Sequence, residues 1–244
     1  MRLLVLLLMA APVLAQNASW DHMLKTYVNA SALVDYPRWK QQDPGSLDAY
    51  LAGLAKPAPA NASKAALINA YNALVVRWVI ENYPVESIWQ TPHPFTQARH
   101  VVNGEKVSLD GIEGRLRQLG DPRIHAALVC AARSCPPLRR EAYTDDRLDQ
   151  QLDDNLRTWL ANPSLNQFDA ATHTARVSEI FKWYQGDFVA SAGSVEKFLE
   201  KYAPRQFTIQ KVEYITYRWG LNDAAGHGAG YSTLRFYWDH ERNK

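Results

Sequence analysis

The sequence predicts an α+β fold, a single mostly helical domain with a small β-sheet, and three observations carry that expectation. Apolar stripes at helical spacing recur along most of the chain. Residues 101–107 read as a small hairpin around Asn-Gly, and 208–217 carry the β-branched and aromatic residues that suit a strand. No internal repeat, heptad or linker divides the sequence. With 244 residues, 47% of them hydrophobic and 21% charged, the chain can bury a substantial core. Its formal charge of +2 comes from scattered Lys and Arg, which excludes the basic footprint of a nucleic-acid binder. Two cysteines are too few for a disulfide framework.

Met1-Arg2, the apolar run Leu3 to Leu8 and the small residues Ala10 to Ala15 read as a secretory signal peptide cleaved before Gln16. About fifteen apolar residues fall short of the ~20 that span a bilayer. No stable membrane insertion is therefore expected after cleavage. No cysteine follows the small residues, which argues against a lipoprotein. The expected organisation is a signal peptide over 1–15, one domain over 16–223 and a C-terminal extension over 224–244. The expected location is periplasmic or secreted.

Trp20, Met23, Leu24, Tyr27 and Val28 form a first helical stripe. Ser46 is expected to cap a second helix carrying Leu47, Tyr50, Leu51 and Leu54, which Lys56-Pro57 ends. Residues 57–63 read as a loop. The segment from Ser63 to Tyr83 is the most apolar of the mature chain, stopped by Pro84, and belongs at the centre of the fold. Asn103-Gly104 predicts a hairpin within 101–107. Ser108 caps a helix with Leu109, Ile112, Leu116 and Leu119 on one face, closed by Gly120.

Ile124 to Val129 suits a buried strand or a helix. Thr144 is expected to cap a helix with Leu148, Leu152, Leu156 and Leu160 as its stripe. Residues 176–184 are ambiguous, 195–202 read as a helix and 208–217 as a strand. The Gly-rich, then basic and aromatic stretch from Ala224 onward is expected to be loose.

Polar residues inside apolar segments mark the candidate site. Asn69 and Asn72 lie three apart on the central helix and share a face. A buried carboxamide needs partners, either loop backbone or a catalytic group that it orients. Glu113 borders an apolar stripe and calls for a positive or hydrogen-bonding partner. Asp110 is explained by the helix dipole alone.

The densest cluster is Asp121-Pro122-Arg123-Ile124-His125, then Cys130 and Arg133-Ser134-Cys135-Pro136-Pro137. Three readings are open. A cysteine is a nucleophile with His125 as base and Glu113 or an Asn as orienter. Alternatively, Cys130 and Cys135 form a short disulfide, or they bind a metal with His125 at a spacing unlike the common zinc patterns. Residues 125 and 130 do not share a face of a regular element, so a catalytic pair requires the chain to break near Cys130. Exposure favours Cys135 as the reactive thiol, whereas nearness to the base tips the choice to Cys130.

The chain resembles the DUF547 family, a domain of unknown function. The resemblance rests on Ile68-Asn69-Ala70-Tyr71-Asn72-Ala73, Tyr83-Pro84-Val85, Ser108 to Glu113, Asp121 to His125, Cys130 to Pro136, Ile180 to Tyr184 with Asp187-Phe188, and Tyr214 to Asn222. It implies that the Asn, Glu, His and Cys positions form a site, and it implies no particular reaction. Gly114 and Ala126 stand where relatives often carry a histidine and a bulky aromatic.

Two functions follow as expectations. In the first, an exported thiol-dependent hydrolase or acyl transferase uses Cys130 or Cys135, His125, and Glu113 or Asn72, on a small-molecule or peptide substrate. In the second, a non-enzymatic exported binding module has Cys130 and Cys135 bonded and an aromatic ligand surface. Phe181, Trp183 and Tyr184 are either ordinary packing or the wall of a cleft. Glu113, His125 and a cysteine are expected to converge on one concavity with Asn69 or Asn72 nearby. The sequence calls for no cofactor and no resident metal.

Overall fold

A computed structural model describes residues 16–57 and 62–243. The expected signal peptide, 1–15, lies outside the described residues, as does much of the 57–63 loop. The fold is a mostly helical α+β domain with sheets of two and three strands.

Helix α1 (residues 16–27) buries Trp20, Met23, Leu24 and Tyr27. Two short helices follow, α2 (Tyr36–Gln42) and α3 (Pro44–Leu54). Each begins with an aspartate and a proline. Asp35 accepts from the Arg38 N–H, and Asp43 accepts from the Ser46 N–H, while Pro37 and Pro44 supply preset first-turn backbone. Helix α2 was not anticipated, and the expected cap Ser46 is instead the first-turn residue that Asp43 caps. Trp20 stacks on Tyr50 at 5.4 Å and Tyr27 on Trp39 at 4.8 Å, which joins the three helices.

Ser63 caps α4 (Lys64–Asn82) by accepting from the Ala66 N–H. As its composition demands, α4 is buried on almost every face, with Ile68, Ala70, Ala73, Val75 and Val79 fully enclosed. Strands β1 (His100–Val102) and β2 (Glu105–Val107) form the expected hairpin. Asn103 and Gly104 turn it with φ of 52° and 77°, as two left-handed positions require. Helix α5 (Leu109–Arg117), capped by Ser108, lays Leu109, Ile112 and Leu116 against α4.

Beyond α5 lies the first substantive departure. Residues 124–129 are neither strand nor α-helix: a 3-10 turn spans Pro122–Ala126, and irregular backbone follows. An apolar run of six cannot distinguish these by periodicity. Helix α6 (Leu148–Leu160) keeps the expected leucine stripe but starts at Leu148, without a side-chain cap. Thr144 instead donates its backbone N–H to Gln151 Oε1 at 2.9 Å.

The ambiguous 176–184 segment divides between β4 (Thr174–Ser178) and the short helix α7 (Ile180–Trp183). Strand β3 (Gln167–Asp169) pairs antiparallel with β4, and β5 (Lys211–Ile215) pairs with β4 in parallel, Thr174 opposite Lys211 and Ser178 opposite Ile215. A parallel pair needs a long crossover, supplied by α7, α8 (Gln185–Ala192) and α9 (Val195–Tyr202).

The described residues bury two apolar clusters. One is centred on α4, and the other joins α6, β4, α8 and α9 around Trp159, Phe181, Phe188 and Phe198. The segment around Cys130 packs against both. Residues 221–223 then stitch the ends together. Val34 bridges to Asp223, Ala132 to Leu221, and the Tyr36 hydroxyl donates to Asn222 at 2.8 Å. The stretch expected to be loose contains helix α10 (Thr233–Asn243). Phe236 stacks on Trp219 at 4.9 Å, and Asn243 donates to the Trp89 carbonyl at 2.7 Å. None of the described helices is long and apolar enough to cross a membrane.

Candidate functional site

Asn69 and Asn72 have structural work that occupies both ends of each carboxamide. Asn69 donates to the Tyr143 carbonyl at 2.8 Å and accepts from the Tyr143 N–H at 2.9 Å. Asn72 donates to the Ala127 carbonyl at 2.9 Å and accepts from the Val129 N–H at 3.0 Å. They fix loops to α4, and neither lines the cavity described next. Asn72 acts on the site only at one remove, by holding the backbone just before Cys130.

That backbone opens onto a cavity of about 750 Å³, within the usual range for small-molecule sites. Glu113, His125, Cys130 and Cys135 all line it, so four of the six candidate residues converge. Trp183 and Tyr184 belong to its wall, whereas Phe181 is fully buried in the second core. Helix α10 adds Phe236, Tyr237 and His240 to the lining, a contribution the sequence reading missed by treating this stretch as loose.

His125 is held by a carboxylate, and that carboxylate is Asp187 rather than Glu113 or an asparagine. Its Nε2 lies 2.8 Å from Asp187 Oδ2. The Asp187 carboxyl is held below its ordinary range by the fork of Arg117, which donates at 2.7 and 3.1 Å. An ionised carboxylate only accepts, so the imidazole carries its proton on Nε2. The ring stacks on Tyr184 at 4.0 Å. Burial pushes its pKa down to about 4 against the opposing pull of Asp187, so His125 is neutral near pH 7.

Glu113 interacts instead with the Tyr184 hydroxyl, and burial raises both pKa values. Asp110, one turn earlier on α5, is also raised by partial burial. Perturbed groups gathered in one cavity are the signature expected of a functional site.

Cys130 and Cys135 form a disulfide with a Cα separation of 6.2 Å. No free cysteine is found among the described residues. The chain does break here, since Ala131 takes φ of 60°. The loop between the cysteines is zipped to the returning chain: Arg133 N–H donates to Gly220 O at 2.8 Å and Arg218 N–H to Ser134 Oγ at 2.9 Å. The buried Tyr217 hydroxyl lies 3.1 Å from Cys130 Sγ and donates to Cys135 Sγ at 3.3 Å. A bridge closing so short a loop is worth about 2 kcal/mol in the chain-entropy model. Among the described residues, no group of three or more His, Cys, Asp or Glu is arranged to hold a metal.

The buried His125 gives a measurable pH dependence. An unfolded imidazole binds its proton near pH 6.5, whereas the folded one resists until about 4. Between these values the unfolded state holds more protons, so stability falls as pH drops through the window, by up to about 3 kcal/mol from this group. His100, half-buried and also lowered to about 4 by burial, acts in the same direction. The raised acids Asp110 and Glu113 oppose it. Urea midpoints of His125→Asn measured from pH 7 to pH 4.5 should show a shallower acid decline than the parent, and parallel declines would refute the assignment.

Comparison with known proteins bears out the family resemblance for part of the chain. Residues 56–160 match the model of DUF547, described as a protein of unknown function. No curated protein and no solved structure matches the chain.

Proposed function

We propose that this protein is an exported binding module that captures a small molecule in the disulfide-edged aromatic cavity. The single observation that carries the reading is the cavity itself, about 750 Å³, walled by Trp89, Trp183, Tyr217, Trp219 and Phe236 and holding perturbed acids. Export is supported by the leader pattern of residues 1–15 and by a disulfide suited to an oxidising compartment. N-terminal sequencing of the mature protein should begin at Gln16, and envelope material that retains Met1 would refute export.

A thiol-dependent hydrolase or acyl transferase is the second reading, because His125 and both sulfurs line the same cavity. It requires reduction to free Cys130 as a nucleophile toward an ester or amide carbonyl. A histidine whose pKa is near 4 is a weak base for that step, so the binding reading is preferred. Thiol titration separates the two: the non-reduced protein should show no reactive thiol and the reduced, denatured protein two. Two reactive thiols without reductant would overturn the binding reading in favour of catalysis. Thermal shift against a panel of cationic, neutral and anionic small molecules tests binding itself. At least one class should raise the melting temperature of the parent and not of Thr216→Trp, which fills the cavity. A panel without any such response would refute the proposed function.

A further inference from the structure

Resting on the reading of the cavity as a ligand site, we infer that it takes an organic cation, a quaternary or alkylated ammonium compound. Three carboxylates, Asp110, Glu113 and Glu179, line the cavity, and among the described residues no lysine or arginine does. The nearest guanidinium with a role here, Arg117, is held as a fork on Asp187 and lies over the Tyr184 ring. It is thus already paired with a carboxylate, and it acts on Glu113 only through space, without a hydrogen bond. Two histidines, His125 and His240, are on the wall, and His125 stays neutral because burial lowers its proton affinity.

The aromatic walls meet at steep angles. Trp219 stacks with Trp183 and Phe236, with planes 18° and 9° apart, whereas Trp89 and Tyr217 stand at 76° and 52° to Trp219. These rings pack on one another and line the cavity in several orientations, and aromatic faces open to a cavity are the surface by which alkylated ammonium groups are recognised. Tyr71, only 3% exposed, lines the same cavity, with Glu113 and Asp110 close enough to act on its hydroxyl.

Other ligand chemistries fit less well. An anion would face three carboxylates without a counter-charge. A neutral sugar could use the threonine and tyrosine hydroxyls and Trp89 Nε1 on the wall, but would leave the three carboxylates without a counter-charge. A choline-sized cation satisfies the acids by charge and the rings by contact, and a hydroxyl on it reaches for Tyr71 as donor or acceptor.

The test is calorimetric titration of the mature, non-reduced protein with choline, tetramethylammonium, 3,3-dimethylbutan-1-ol, a neutral hexose and acetate. The butanol has the shape of choline without its charge. Choline should bind at least about ten-fold tighter than the butanol, and Glu113→Gln should remove about five-fold or more of choline affinity while leaving the butanol unchanged. Trp219→Leu, which keeps the acids, should weaken choline and tetramethylammonium together. The cation inference is overturned if the butanol, hexose or acetate binds the cavity as tightly as choline, and that result leaves the binding reading standing. Absence of any cavity ligand, here and in the thermal-shift panel, overturns both.

Discussion

Asn72→Leu is expected to remove roughly 2–6 kcal/mol of stability, since it strands two buried backbone groups at about 1–3 kcal/mol each. The groups are the Ala127 carbonyl and the Val129 N–H, which Asn72 satisfies at 2.9 and 3.0 Å. Leucine keeps the branched shape and heavy-atom count of asparagine at a larger volume, so no cavity is created. Against a total of ~5–15 kcal/mol for a natural domain, such a loss brings the protein close to unfolding. Asn69→Leu strands the Tyr143 backbone in the same way and serves as a parallel case. Urea midpoints provide the measurement, and a loss below about 1 kcal/mol for Asn72→Leu would show that the 127–129 backbone finds other partners.

Gly228→Ala is expected to cost about 2–5 kcal/mol, combining about 1–2 for a left-handed backbone with about 1–3 for overpacking. Gly228 has φ of 77°, and a Cβ there would collide with the Glu86 carbonyl oxygen and the Leu221 nitrogen. Both are backbone atoms already joined to each other by a 2.8 Å hydrogen bond, so neither can withdraw cheaply. Gly220 faces the same contact from the other side, its absent Cβ leaving room for the Gly228 carbonyl. Gly230→Ala is the matched control, because nothing lies within 4 Å of its added carbon, and it should stay within about ±0.5 kcal/mol. The melting temperature of Gly228→Ala should fall by roughly 4–20 °C. Equal melting of the Gly228 and Gly230 variants would show that the crossing is slack.

The sequence readings succeeded where a cap and a stripe coincide. Ser108, expected as a cap, accepts from the Gly111 N–H, and the apolar face behind it left little choice of element or orientation. Errors arose where only one cue was present. Residues 124–129 have apolarity without length, and Thr144 has a capping side chain without a helix immediately behind it. Helix α10 was missed because none of its residues is buried, so it carries no core stripe to read.

The candidate site was legible as residue types and only partly as partners. His125 and the two cysteines stand close in sequence, which made them conspicuous. The carboxylate that orients His125 is 62 residues away, on a helix with no local pattern pointing back. Arg117 holds that carboxylate across 70 residues. Local periodicity carries no information about such pairings, because they depend on how α5 and α8 are brought to the same 3-10 turn. The asparagines were conspicuous for a different reason, as polar groups in an apolar helix, and their partners prove to be loop backbone.

The bond between Tyr36 and Asn222 joins residues 186 apart, and this separation governs how the molecule must be made. Synthesis delivers α1 to α4 long before residues 221–223 arrive to pair with Val34 and Ala132. Until then the stacked tryptophans and tyrosines of the first helices wait as a partly assembled nucleus. The loop-closure entropy of so distant a contact makes its formation a late and slow event. A chain interrupted before residue 221 would leave its first core unsealed and its cavity without a far wall. Apolar surface displayed in that interval is what holding chaperones recognise and what drives aggregation. Refolding yield at high protein concentration should therefore be limited by this final stitch rather than by the helices that precede it.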